Sequence, residues 1–125
     1  MGTLPIGDLS AFVAQVGALL RTRLPGIRLV TYGHVGDGNL HYNLSGPSGE
    51  DAAAFLALRH ELAGVIYEAV AARGGSISAE HGVGTTKRDS IARIKSSVEL
   101  DLFRAVKRAI DPAGVMNPGK VLVEP

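Results

Sequence analysis

Gly33-His34-Val35-Gly36-Asp37-Gly38-Asn39-Leu40-His41-Tyr42-Asn43 is the stretch on which the reading of the fold turns, because it carries a turn and two histidines together. Asp37-Gly38 is among the strongest signals for a two-residue hairpin of type I′, in which both central residues take positive φ. A turn centred there predicts that Gly36 faces Asn39, Val35 faces Leu40 and His34 faces His41. Opposed residues have Cβ atoms about 4.5 to 5.5 Å apart, so two imidazoles on one face can reach a single metal ion or substrate group. Asn43 shares that face. Leu29, Thr31, Val35, Leu40, Tyr42 and Leu44 fall on the other, which is mostly apolar and is expected to face a core. The plainer reading of the histidines is two polar side chains on a solvated strand. Gly33, Gly36 and Gly38 weigh against it, because they bare the backbone where a ligand can approach closely.

A second glycine-rich run, Gly74-Gly75-Ser76-Ile77-Ser78-Ala79-Glu80-His81-Gly82-Val83-Gly84, follows a long apolar-periodic helix and cannot continue it. It predicts a short strand at 76–78 and places Glu80 and His81 on a loop. One carboxylate added to two imidazoles makes a ligand set of two histidines and one glutamate, which suits zinc or a similar divalent ion and leaves positions open for substrate. With Glu80 as ligand, its neighbour His81 points elsewhere, and a neutral imidazole is a suitable general base.

Around these two runs the helical periodicity is clear. Leu9, Phe12, Val13, Val16, Leu19, Leu20 and Leu24 recur at helical spacing, and Pro25-Gly26 closes that helix. Ser48 with Asp51 predicts a capped helix running to about Arg73. Thr85 to Ile94 predicts a short helix, and Ser96 with Glu99 caps another in which Leu102, Phe103, Val106 and Ile110 face inward. Short extended pieces are expected at Thr3 to Ile6 and at Lys120 to Val123. The order β-α-β-β-α-β followed by helices predicts a ferredoxin-like α+β fold, with helices on one face of an antiparallel sheet.

The 125 residues carry a formal charge of +1 and no cysteine. That balance gives no electrostatic footprint for nucleic acid, and the lack of disulfides fits a reducing compartment, so a cytoplasmic protein is expected, with attachment to the inner-membrane surface as an alternative. Neither a signal peptide nor a membrane span is read from the sequence. Gly82-Val83-Gly84-Thr85-Thr86-Lys87 lacks the ending of a phosphate loop, so nucleotide binding is not expected there.

Three separated motifs now point to a family. Gly-His-x-Gly-Asp-Gly-Asn-x-His at 33–41, Gly-Ser-x-Ser-x-Glu-His-Gly-x-Gly at 75–84, and Asp111-Pro112 with Asn117-Pro118-Gly119-Lys120 resemble the C-terminal domain of the FAD-linked oxidases in order and spacing. That group includes D-lactate dehydrogenases, the glycolate oxidase catalytic subunit and D-2-hydroxyglutarate dehydrogenase. The resemblance covers residues 4–125. It implies an FAD-dependent oxidation of a D-2-hydroxyacid to a 2-oxoacid, with His34, His41 and Glu80 as metal ligands, Asn43 as a substrate contact and His81 as the base. Residues 1–125 then form the metal- and substrate-binding part of a larger substrate domain. The flavin-binding domain that family members carry is not among these residues, so FAD is expected to be held by that domain and the chain to be inactive alone. A homo-oligomer is expected in isolation, because missing neighbours leave sheet edge and apolar surface to be covered. Two other readings stand beside this one: a metal-dependent hydrolase, since such a zinc site also activates water, and a non-catalytic assembly module.

Overall fold

The computed structural model describes residues 2–49 and 51–123, which divide into two compact units, Met1–Glu80 and His81–Pro125. The first unit holds β1 (Gly2–Thr3), α1 (Leu9–Arg23), β2 (Arg28–Tyr32), β3 (Asn39–Ser45), α2 (Ala52–Ala57) and α3 (Arg59–Ala71). Its sheet is antiparallel in the order β1-β3-β2, and a single bridge between Thr3 and Ser76 adds a fourth position outside β1. The α+β arrangement is as expected, although the fourth strand is reduced to that one bridge.

α1 forms because its apolar residues return every three or four positions. Leu9, Phe12, Val16 and Leu20 are buried on one stripe. They meet Leu40 of β3 and Leu62, Val65 and Val70 of α3 in a core that also takes in Leu4, Ile27 and Ile77. Phe12 meets Tyr42 edge to face with ring centroids 6.0 Å apart, and the Arg73 guanidinium lies 5.4 Å from the Phe12 centroid. Leu24 N–H closes the helix on the Leu20 carbonyl at 2.9 Å, and Pro25-Gly26 carries the chain away.

The predicted helix from Ser48 to Arg73 is instead two helices. Asp51 is the cap, its side chain accepting from Ala53 N–H at 2.9 Å. At Leu58 the N–H turns to the Phe55 carbonyl, three residues back, and this tightened turn separates α2 from α3.

The second unit holds α4 (Arg88–Ile94) and α5 (Ser97–Ile110). α5 opens on a complete capping box: Ser96 Oγ accepts from Glu99 N–H at 3.2 Å, and Glu99 Oε2 accepts from Ser96 N–H at 3.1 Å. Lys95 donates to the same carboxylate at 2.8 Å, and these bonds hold the Glu99 carboxyl down at about 2. Beyond α5, the buried Asp111 carboxylate accepts from the Lys107 ammonium and from the N–H groups of Val115 at 3.0 Å and Met116 at 2.9 Å. The Lys107 bond leads in holding that carboxyl below its ordinary value. The tail folds back through Arg88 to the Gly119 carbonyl at 3.1 Å and Val121 N–H to the Gly84 carbonyl at 2.9 Å. No strand forms at Lys120 to Val123, and α4 starts three residues later than predicted. The inward face expected of α5 is also corrected: Leu102, Phe103, Val106 and Ile110 are exposed.

Ser96→Ala should cost about 1 kcal/mol through loss of the cap. Because the Glu99 carboxyl lies lower when folded than the unfolded value near 4.3, its contribution is present above that value and is lost as pH falls toward about 2. Circular dichroism between about pH 4.5 and 2 should therefore record a smaller loss of helix in Glu99→Gln than in the wild type.

Candidate functional site

The hairpin that carries the first motif is wider than a two-residue turn. β2 and β3 pair with Tyr32 opposite His41, Thr31 opposite Tyr42 and Val30 opposite Asn43. Between them, Val35–Asp37 form a 3-10 turn, closed by Asp37 N–H and Asn39 N–H on the His34 carbonyl at 3.0 and 3.1 Å and by Gly38 N–H on the Val35 carbonyl at 3.1 Å. Only Gly38, at φ 68°, enters the left-handed region; Asp37 stays in the 3-10 turn, so a type I′ turn does not form. His34 therefore does not oppose His41. The pairing differs from the predicted one by two residues, and a shift of two preserves faces. His41 and Asn43 still share a face with Tyr32 and Val30, while Leu29, Thr31, Leu40, Tyr42 and Leu44 lie on the more buried side. Val35, expected inward, is exposed.

His34, immediately before the 3-10 turn, is directed to the second motif. Its Nδ1 lies 3.3 Å from Glu80 Oε1. Asn39, the first residue of β3, is buried and donates from Nδ2 to the same carboxylate oxygen. Glu80 is brought there by the bridge of Ser76 to Thr3 and by a local turn, in which Ser78 N–H donates to Ser76 Oγ at 3.3 Å and that hydroxyl donates to the Ser78 carbonyl at 3.1 Å. The two motifs, 41 positions apart, thus meet at one carboxylate.

Of the predicted metal ligands, His34 and Glu80 are together. His41 is half-buried and stacks on Tyr32, ring centroids 4.7 Å apart and planes 7° from parallel. Among the described residues no group of three His, Cys, Asp or Glu side chains is close enough to hold a metal ion. The donors nonetheless fit a divalent cation in kind, an imidazole nitrogen and a carboxylate oxygen. The Asn39 Oδ1 beside them is a buried acceptor without a hydrogen bond, as in a site that accepts a cation or a donor group. Asn43 is exposed on the histidine face. His81 opens the second unit and is exposed, and burial lowers the pKa of half-buried Lys87 just before α4. Asn39 is the site residue that sequence reasoning missed. It stands inside the first motif, but its burial against Glu80, 41 positions away, follows from no local pattern.

An α+β domain whose hairpin loop presents an imidazole and an amide to one carboxylate is the class defined by the geometry. The chain belongs to the FAD linked oxidases, C-terminal domain, whose family pattern it matches over residues 2–121. It is 40% identical over 116 residues to the D-2-hydroxyglutarate dehydrogenase of Stutzerimonas stutzeri, covering 93% of this chain and 25% of that protein. It is 42% identical over 122 residues to the mitochondrial D-2-hydroxyglutarate dehydrogenase of Bos taurus, covering 96% of this chain and 21% of the relative. A D-2-hydroxyglutarate–pyruvate transhydrogenase of Saccharomyces cerevisiae is 36% identical over 98 residues. The chain spans about a quarter or less of the length of these relatives. Among the described residues no helix is long and apolar enough to cross a membrane.

Gly38 is expected to be irreplaceable for this geometry. A Cβ there would stand 2.1 Å from the Leu4 carbonyl oxygen, at a positive φ that side chains disfavour. Gly38→Ala should destabilise the first unit by roughly 2 to 4 kcal/mol, measured by urea unfolding, against near neutrality for Gly36→Ala, which has open space around it.

Proposed function

We propose that this chain is the substrate-holding part of an FAD-dependent 2-hydroxyacid dehydrogenase, with D-2-hydroxyglutarate the first substrate to test. Family membership supports the flavin chemistry, and the observation that carries the assignment to this site is the meeting of His34, Asn39 and Glu80 across the two motifs. His34 and Glu80 would hold a divalent cation, zinc being the expectation, with His41 turning from Tyr32 to complete the set. When bound, the cation supplies a Lewis acid and the flavin, held by the remainder of the protein, supplies the two-electron acceptor.

This chain's residues then have distinct tasks. Asn43, on the histidine face, donates to the hydroxyacid and sets its orientation. His81 takes the hydroxyl proton as the hydrogen on the same carbon leaves as hydride, so the hydroxyl carbon becomes the carbonyl of a 2-oxoacid. Asn39 holds Glu80 in place through its amide. Positioning is the main contribution expected of such a domain.

Replacing the matching quarter of the Stutzerimonas stutzeri relative with this chain provides the test. The chimera should bind flavin, contain a divalent metal and reduce an electron-accepting dye with D-2-hydroxyglutarate or D-lactate. His81→Asn should lower kcat by roughly 10²-fold or more with metal retained, whereas His34→Ala, His41→Ala and Glu80→Ala should each deplete the metal. A folded, flavin-loaded chimera that turns over neither acid would sink the assignment. Metal content indifferent to all three substitutions would remove the ligand set.

A further inference from the structure

Tyr32 is the last residue of β2 and stands directly opposite His41 of β3. Their rings are nearly parallel, with planes 7° apart and centroids 4.7 Å apart. Such a pair favours the stacked arrangement by about two- to tenfold over the unstacked one, beyond the area it buries. The stack therefore fixes the orientation of the imidazole. Tyr32 is 53% exposed at the end of its strand, so its ring serves His41 rather than the core. The same pairing sets His41 beside Tyr32 and not beside His34, whose Nδ1 lies 3.3 Å from Glu80 Oε1. Among the described residues the two histidines and Glu80 do not form a group close enough to hold a cation. A cation that takes up all three requires the His41 imidazole to leave the Tyr32 ring.

We propose that Tyr32 is a positioning residue for His41: its ring holds the imidazole apart from His34 and Glu80 and so sets how tightly the site takes a divalent cation, and which one. The inference rests on the ligand set proposed above. A ligand that binds only the unstacked form has its affinity reduced by the fraction of chains in that form. The reduction falls unequally on different cations. Zinc takes imidazole nitrogen readily, and His41 gives it a third protein ligand in return for breaking the stack. Magnesium prefers oxygen and keeps its waters, so it does not recruit His41 and the stack does not enter its binding. Removing the ring therefore tightens zinc and leaves magnesium where it was. An ordinary cross-strand aromatic pair, which only steadies the ribbon, has the opposite signature. Its loss would loosen the strands that carry the site and weaken every cation alike.

Zinc and magnesium titrations of the full chain, followed by NMR at the His41 ring protons, test this. In the metal-free chain the Tyr32 ring current should shift those protons upfield, and saturation with zinc should remove the shift. Tyr32→Phe keeps a ring and should keep both the shift and the wild-type zinc affinity. Tyr32→Leu should lose the shift and bind zinc about two- to tenfold more tightly, with magnesium affinity unchanged. In a His41→Ala background the same substitution should add nothing, since the imidazole it releases is gone. Zinc that binds through His41 while the shift persists, or a Tyr32→Leu chain no tighter than the wild type, overturns the role of Tyr32 and leaves the ligand set standing. No zinc binding, or binding indifferent to His34→Ala, His41→Ala and Glu80→Ala, overturns the ligand set and the role of Tyr32 with it.

Discussion

The geometry of the first unit depends on a backbone contact at Gly38. The Leu4 N–H donates to the Gly38 carbonyl at 2.9 Å, and the Leu4 carbonyl occupies the space where a side chain at position 38 would begin. This pins the end of the hairpin loop to the residue just after β1. Thr3, one position earlier, exchanges two backbone bonds with Ser76 at 2.7 and 2.9 Å, and Gly75 leaves room for that crossing. Thr3 at the end of β1 and Leu4 just after it thus fix both the loop bearing His34 and the segment bearing Glu80. The 3.3 Å approach of imidazole to carboxylate follows from two registrations against a common backbone.

That arrangement explains what the sequence could and could not convey. Local rules served well where local energies decide: the stripe of α1 and the Ser96–Glu99 box appear as read, whereas the Ser48–Asp51 box gives way to Asp51 alone as the cap. The hairpin misled because Asp37-Gly38 satisfies two turn geometries. The choice was made by Leu4, 34 positions before Gly38, which no short-range rule contains. Since the register moved by an even number, the division of β3 into a histidine face and a core face survived the error. The α5 stripe shows the opposite case, where periodicity located an apolar face correctly but could not say what covers it.

For the site, the motifs supplied residue identities and the fold supplied relations among them. His34 and Glu80 were readable as partners from chemistry alone, since an imidazole and a carboxylate flanked by glycines are a plausible ligand pair. Asn39 was not, because an asparagine after a turn has an ordinary local explanation. Its burial beside Glu80 gives it a different meaning: an amide that anchors the carboxylate while leaving its own oxygen without a partner.

The place of β1 in the sheet also sets an order of events during synthesis. Gly2 pairs with Leu40, 38 positions later, and Thr3 bridges Ser76, 73 positions later. At roughly 5 to 20 residues per second, several seconds pass between the making of β1 and of its last partner. α1, the β2–β3 ribbon and the pairing of β1 with β3 rest on nearer contacts and can form in that interval, whereas the other edge of β1 must wait for Ser76. The His34–Glu80 pair comes into being only when that wait ends, so its appearance would time the closure of the first unit.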